Sequence, residues 1–445
     1  MRLEPSPVDP SGPGLPVRQR FSRAAGRALS RIDRLIRRAA GRPLNPDPLI
    51  RLVGLRLFLR GYYAAFIDAH GMRFSDVDEV LGGIRSSQPA AWVSAWSSRA
   101  DHYQRLARAA EQEGRGETAA ELSFTASTAY RLAEMALPYD SDQRRGLTRQ
   151  VVASFRLGGR FVDPPLRCVR LPVGGSDVPA YLRVPSGPTP RPAVVVVPGL
   201  GMLKEHGDFP PEPLLRRGVA TLMVDLPGQG ESHGQLPLTR QCAEELIRAA
   251  LTYLEACPGV DGLRLGLLGT SIGGTACMFA AADDQRVKAI AELSGFFYPA
   301  GWWDYFLADG IKEFFRQVSG ARDERELQAL IRSINLSGVV GRIGCPLLVV
   351  HGERDSIVPV SEARRIFADA RPPKEELIFA TGDHGCVNIG EARPLIADWL
   401  AAKLSHPLDC FGYNPARSAE SATNSQQGEG QPWKLTASSA RPSAT

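Results

Sequence analysis

The sequence predicts an α/β fold, a doubly wound and mostly parallel sheet preceded by a helical domain. From about residue 165, short β-branched runs alternate with helical patterns. Residues 193–197 (Ala-Val-Val-Val-Val) form an unbroken apolar run, as a strand buried on both faces requires. Ahead of them, residues 48–150 are dense in Ala, Leu, Arg and Glu at helical spacing. A chain of 445 residues holds roughly two to three domains. Its 43% hydrophobic and 23% charged residues suit a globular enzyme. No apolar stretch approaches the roughly 20 residues of a bilayer span.

The elements follow in order. Residues 1–17 are rich in Pro, Gly and Ser and are expected to be disordered. Residues 18–42 carry nine Arg, with Phe21, Leu29, Ile32, Leu35 and Ile36 on one face, the pattern of a basic amphipathic helix. It reads first as a solvated helix packed on its own domain. Contact with an anionic membrane surface or an acidic partner is the functional alternative, and a mitochondrial presequence the third. A helical N-terminal domain thus covers 18–150. Gly114 and Gly116 divide helices at 97–113 and 118–136, and Pro138 is expected to close the helical zone. Residues 169–171 and 178–184 suit an antiparallel pair. Further strands fall at 193–197, 220–224, 263–268, 289–293, 347–350 and 376–379. Helices fit at 210–217, 240–256, 272–282, 360–370 and 389–404. The α/β domain therefore spans 165–410, with a helical insertion at 300–343. Residues 411–445, rich in Ser, Ala, Thr and Gln, read as a disordered tail.

The net charge of +5 is local. Residues 1–50 contain ten Arg and four acids, so the remainder sums to −1. A body without basic excess argues against nucleic-acid binding. All but six of the 53 basic residues are Arg, a bias typical of GC-rich bacterial genomes. Seven dispersed Cys without paired spacing read as reduced thiols. No apolar core follows Met1, so no secretory signal is expected and the localisation reads as cytoplasmic.

The strongest local signal is Gly269-Thr270-Ser271-Ile272-Gly273 followed by Gly274, set between the strand at 263–268 and a small-residue helix. That is the strand–turn–helix setting of a nucleophile elbow. A serine hydroxyl needs an adjacent base, and in this architecture acid and then His follow the Ser. His384 lies in Gly382-Asp383-His384-Gly385, between the last strand and the last helix, where the base belongs. His351 ends a strand and precedes the acid; His406 follows the last helix. In His351-Gly352-Glu353-Arg354-Asp355, Asp355 sits at the loop tip and is the expected acid, with Glu353 the runner-up. Asp383 adjoins His384 too closely in sequence to support the ring. An oxyanion hole needs two backbone N–H donors. Ile272 supplies one; Leu200, in Pro198-Gly199-Leu200-Gly201, supplies the other, with Gly201 the alternative. The turn-rich Asp225-Leu226-Pro227-Gly228-Gln229-Gly230-Glu231 reads as structural.

These four loops, in this order, resemble the α/β-hydrolase superfamily over residues 165–405. The helical segments Arg105-Leu106-Ala107-Arg108, Ala119-Ala120-Glu121-Leu122 and Thr128-Ala129-Tyr130-Arg131 resemble the N-terminal helical domain of one subgroup. So do Leu203-Lys204-Glu205 and the loop from Gly382 to Gly390. That subgroup holds the FrsA-like esterases, the 2,6-dihydroxypseudooxynicotine hydrolases and fungal polyketide chain-shortening hydrolases. The resemblance implies an α/β-hydrolase with a helical cap, acting on esters or on C–C bonds beside ketones. It maps Ser271, Asp355 and His384 onto nucleophile, acid and base. Nicotine-degrading members carry a further acidic residue after the sixth strand; between 296 and 306 only Asp304 is acidic here. In the same aromatic run, Trp302 and Trp303 either line an apolar substrate pocket or pack the insertion against the sheet.

The reading is a cofactor-free serine hydrolase for a small aromatic or polyketide-like ketone or ester, tilted toward cleavage of a 1,3-dicarbonyl. Elimination or acyl transfer with the same residues is the alternative, and a non-catalytic binding protein the remote one. No His and acid cluster suggests a metal, and no G-x-G-x-x-G follows the first parallel strand to suggest a dinucleotide. A small molecule is the expected partner, and a homodimer is left open.

Overall fold

The computed structural model describes residues 70–84, 88–207, 209–307 and 309–405. The expected basic helix at 18–42 and disordered segments at 1–17 and 411–445 lie outside these. Four helices come first: α1 (Phe74–Gly83), α2 (Pro89–Gln112), α3 (Gly116–Glu134) and α4 (Asp142–Gly159). The break between α2 and α3 falls at Gly114, as expected. The helical zone does not close at Pro138. Pro138 precedes only a short turn, after which the Ser141 side chain accepts the Arg144 N–H at 3.2 Å and caps α4.

Eight strands form one sheet: β1 (Arg167–Val173), β2 (Ser176–Arg183), β3 (Arg191–Val197), β4 (Ala220–Val224), β5 (Val260–Thr270), β6 (Val287–Leu293), β7 (Leu347–Gly352) and β8 (Lys374–Phe379). Their order is β1-β2-β4-β3-β5-β6-β7-β8. The pairs β1–β2 and β2–β4 are antiparallel and the others parallel. The crossovers are α5 (Glu212–Leu215), α6 (Arg240–Glu255), α7 (Ile272–Asp283), α11 (Val360–Asp369) and, after β8, α12 (Ala392–Leu404). The insertion holds α8 (Trp303–Phe306), α9 (Asp309–Ser319) and α10 (Glu324–Ser333).

Burial explains why β3 is apolar from Ala193 to Val197. Ala193, Val195 and Val197 join a cluster with Leu246 and Leu251 of α6 and Phe279 of α7. Val194 and Val196 face the opposite layer, with Ile396 and Leu400 of α12. A third cluster gathers Trp96, Ala129, Leu132 and Val151 of the helical layer around Met202 and Leu203, which follow β3. The loop at the end of the central strand is thus part of the helical core. No described helix is long and apolar enough to cross a membrane.

One side chain in this core resists burial. Glu292 of β6 is 0% exposed. Its Oε2 accepts the Gly295 N–H at 2.7 Å, and Oε1 has no partner among the described residues. Burial pushes its pKa up to about 8, against which the Gly295 hydrogen bond works. A folded pKa above the unfolded value of 4.5 gives stability that is complete below about pH 4.5 and is lost as pH rises through about 8. Glu292→Gln keeps the acceptor and removes the titration. Urea unfolding at pH 5 and pH 9 is expected to show the variant gaining on wild type with pH, by at most about 5 kcal/mol. A difference that stays flat with pH would show Glu292 ionised in the folded protein.

Candidate active site

Ser271 occupies the turn between β5 and α7 with φ 55° and ψ −126°, a conformation few non-glycine residues adopt. Its N–H donates to Leu293 O at 2.7 Å, tying the turn to the end of β6. The flanking glycine explains how the turn fits. A Cβ on Gly273 would lie 2.4 Å from Pro198 O and 2.6 Å from Val197 O. Only glycine lets the start of α7 touch the end of β3 and so brings Ile272 beside the loop carrying Leu200.

Asp355 and His384 come from the loops after β7 and β8. A Cβ on Gly352 would lie 2.2 Å from Gly382 O, so the two loops meet backbone to backbone. Arg354 N–H donates to Gly382 O at 2.9 Å and Glu353 N–H to Phe379 O at 2.9 Å. Held this way, Asp355 Oδ2 stands 2.8 Å from His384 Nδ1. Asp355 Oδ1 accepts the Ile357 and Val358 N–H groups, each at 2.8 Å. Burial alone would push the Asp355 pKa up. The facing His384, His351 and the Val358 amide outweigh it and hold the carboxyl below the ordinary range. The base loop also reaches the nucleophile turn. Gly385 N–H donates to Ser294 Oγ at 2.9 Å, and an added Gly385 Cβ would sit 3.3 Å from Thr270 Cγ2.

The structure thus places Ser271, Asp355 and His384 on the C-terminal ends of neighbouring parallel strands and pairs the last two directly. The alternatives sort themselves. Glu353 is exposed and faces Arg364 at 3.8 Å. Asp383 exchanges hydrogen bonds with Asn388 instead of supporting the ring. Gly201 spends its N–H on Gln229 Oε1, which leaves Leu200 as the loop's candidate donor. Ile272 opens α7, where first-turn amides have no partner within the helix. Asp304 is exposed and accepts from Gln328 at 3.3 Å. Trp302 and Trp303 are buried at 5% and 4%, edge-on to Phe296 and Phe315 respectively. These ring contacts match the packing reading of the two indoles, with the amphipathic α9 supplying Phe315. The apolar crevice beside Ile272 is lined by Thr275, Ala276, Phe279, Phe315, Ile334 and Arg240.

Sequence reasoning missed two features. His351, buried in β7, brings Nε2 to 3.4 Å from Asp355 Oδ2 and to 3.1 Å from Val358 O. Burial holds its pKa down, opposed by Asp355, so a neutral second imidazole backs the acid. Beneath the loop after β3 lies a buried ionic network. Lys204 Nζ meets Asp225 at 2.8 Å, Glu205 at 3.0 Å and Glu231 at 2.8 Å. Tyr181 donates to Glu205 at 2.6 Å, and Arg156 of α4 reaches Glu231 at 2.8 Å. His351 and Asp355 stand only four residues apart, a local signal that could have been read, whereas Lys204 meets Asp225 and Glu231 across more than twenty residues.

Comparison with known proteins agrees with this architecture. The family described as "Esterase FrsA-like" matches residues 72–404. The 2,6-dihydropseudooxynicotine hydrolase of Paenarthrobacter nicotinovorans is 29% identical over 335 residues, covering 74% of this chain and 88% of that one. The α/β hydrolase pydG of an Acremonium species is 27% identical, covering 55% of this chain and 60% of its own. The crystal structure of the 2,6-dihydroxy-pseudo-oxynicotine hydrolase superposes with a TM-score of 0.68 at 27% identity, covering 76% of this chain and 95% of that one. With its sheet order, its Ser271 turn and a family match across the helical layer and the sheet together, the chain is an α/β-hydrolase and belongs to the FrsA-like esterase family.

Proposed function

We propose that this hydrolase uses Ser271, His384 and Asp355 to cleave an acyl group from a small aromatic or polyketide-like ketone or ester. The observation that carries the reading is the 2.8 Å contact between His384 Nδ1 and Asp355 Oδ2, beside a serine held at φ 55° on the strand end. Asp355 fixes the imidazole with its Nδ1–H toward the carboxylate, which leaves Nε2 as the base. Nε2 takes the Ser271 proton as Oγ attacks the carbonyl carbon, and the Ile272 and Leu200 amides hold the oxyanion. On collapse, Nε2 returns the proton to the leaving group. That group is an alkoxide oxygen in an ester or the enolate carbon in a 1,3-dicarbonyl. Water then attacks the acyl-enzyme and gives one proton to Nε2, which passes it to Ser271 Oγ as the acid leaves.

The resemblance to hydrolases acting beside ketones favours the 1,3-dicarbonyl. The apolar substrate portion is placed toward the narrow crevice beside Ile272, whose walls include Phe279, Phe315 and Ile334. Arg240 lies 3.8 Å over the Phe279 ring and pairs with Glu244 at 2.5 Å, so the mouth is polar but charge-balanced.

Intact-mass analysis after a fluorophosphonate probe tests the nucleophile. One adduct is expected on wild type and none on Ser271→Ala; a folded wild type without adduct would sink the reading. Asp355→Asn should keep Ser271 in place but label at least about 100-fold more slowly, because the imidazole loses its fixed tautomer.

The crevice is tested by Ala276→Trp, which fills it from α7. Turnover of aryl 1,3-diketones and aryl esters should drop about tenfold or more, since overpacked pockets reject bulk, while probe labelling of Ser271 persists. Equal turnover by both proteins would place the substrate elsewhere.

A further inference from the structure

Arg131 is a buried cation that the reaction above leaves unused. It sits on α3, 1% exposed, within the helical layer. Its Nη1 donates to Glu134 Oε1, and its Nη2 leaves the helical layer to donate to the Gly201 carbonyl. Glu134 is itself anchored, since Thr148 Oγ1 donates to its Oε2 at 2.7 Å and Arg144 lies 3.6 Å away. The guanidinium is therefore held by a fixed carboxylate while it grips one peptide of the loop after β3.

That peptide is the one that matters. Gly201 has φ 81°, and its N–H donates to Gln229 Oε1, a side chain that is 2% exposed. Gln229 thus holds the peptide before Gly201 and Arg131 the peptide after it. Met202 and Leu203, next in the chain, are buried among Leu132, Ala133 and Val151. The Gly199–Leu200 peptide, which bears the Leu200 N–H, is tied to the same clamp, because its carbonyl accepts the Met202 N–H at 3.2 Å. We propose that Arg131 is a positioning residue for the oxyanion loop, clamping the Gly201 carbonyl so that the Leu200 N–H faces the carbonyl attacked by Ser271. The inference rests on the assignment of Leu200 and Ile272 as oxyanion donors. It gives the helical layer a part in catalysis: a side chain of α3 sets the direction of a backbone dipole in the site.

The rate of Ser271 phosphonylation by a fluorophosphonate tests it on the full chain, because the phosphoryl oxygen must enter the same hole and no substrate need be known. Arg131→Met alone would strand Glu134, so the informative variants are Arg131→Lys and the double variant Arg131→Met with Glu134→Met. In the folded double variant the plateau labelling rate should fall about tenfold to a hundredfold, approaching the loss of a whole donor. The pH midpoint of labelling, which reports His384, should not move, and Arg131→Lys should recover part of the rate. A folded double variant labelling at the wild-type rate overturns the inference. So does a rate that falls only because the pH midpoint has shifted, which would mean that the base was disturbed. If the double variant does not fold, Arg131→Lys decides alone: a wild-type rate overturns the clamp, and a reduced plateau at unchanged midpoint supports it. A wild type that takes no adduct overturns the Ser271 reading and this inference with it, whereas a labelled wild type with indifferent variants overturns only the clamp.

Discussion

Everything at the site depends on backbone approaching backbone more closely than a Cβ permits. At Gly273 the start of α7 presses on the end of β3, and at Gly352 the loop after β7 presses on the loop after β8. The first contact brings the Ser271 turn beside the Leu200 loop. The second lets Asp355 reach His384. Neither contact is strong in itself. Each removes distance, and hydrogen bonds near 2.9 Å then lock the loops, as Arg354 and Glu353 do across Gly382 and Phe379. A preorganised site needs this order of causes, because dipoles and donors stabilise developing charge only if they are already aimed.

The sheet supplies the rigidity that such contacts require. β3 and β5 lie at its centre and are buried on both faces, β3 alternating its Val residues between two cores. Their C-terminal ends are therefore fixed in position, and the loops after them inherit that precision. Functional groups at the carboxyl ends of parallel strands are the general solution of open α/β sheets.

This also explains what could be read from sequence. The strands were legible because burial on both faces leaves runs such as Ala-Val-Val-Val-Val in the chain, and β4 was placed to the residue. The pairing of Asp355 with His384 was legible because loop order in this architecture is a one-dimensional signal. Helix α4 was not read past Pro138, because a proline that ends one helix says nothing of a Ser cap three residues later. Trp302 and Trp303 admit two readings because an aromatic run has the same composition in a pocket wall and in a core; the ring that Trp303 meets, Phe315, lies twelve residues further on. Arg131 and Lys204 were invisible as functional groups, since long-range partners give charged residues in helices and loops no local signature.

The helical layer is better understood as part of the site than as a cover over it. Arg156 of α4 ends on Glu231, Lys204 holds Glu231, Asp225 and Glu205 together, and Arg131 ends on Gly201. Burial alone would pull the Lys204 pKa down, but Asp225 and Glu205 outweigh it, so the ammonium stays charged although wholly enclosed. Breaking a buried pair by removing one partner costs about 3–5 kcal/mol, because the other charge is left without solvent or counterion. Lifting the helices away would separate the part-exposed Arg156–Glu231 pair, strip the Gly201 carbonyl of its Arg131 donor and uncover Met202 and Leu203. The helices and the loop after β3 are therefore bound to move together or not at all. The contacts that tie the helical layer to the sheet therefore converge on the loop after β3, where Arg131 meets Gly201 and Leu203 packs beside Leu132.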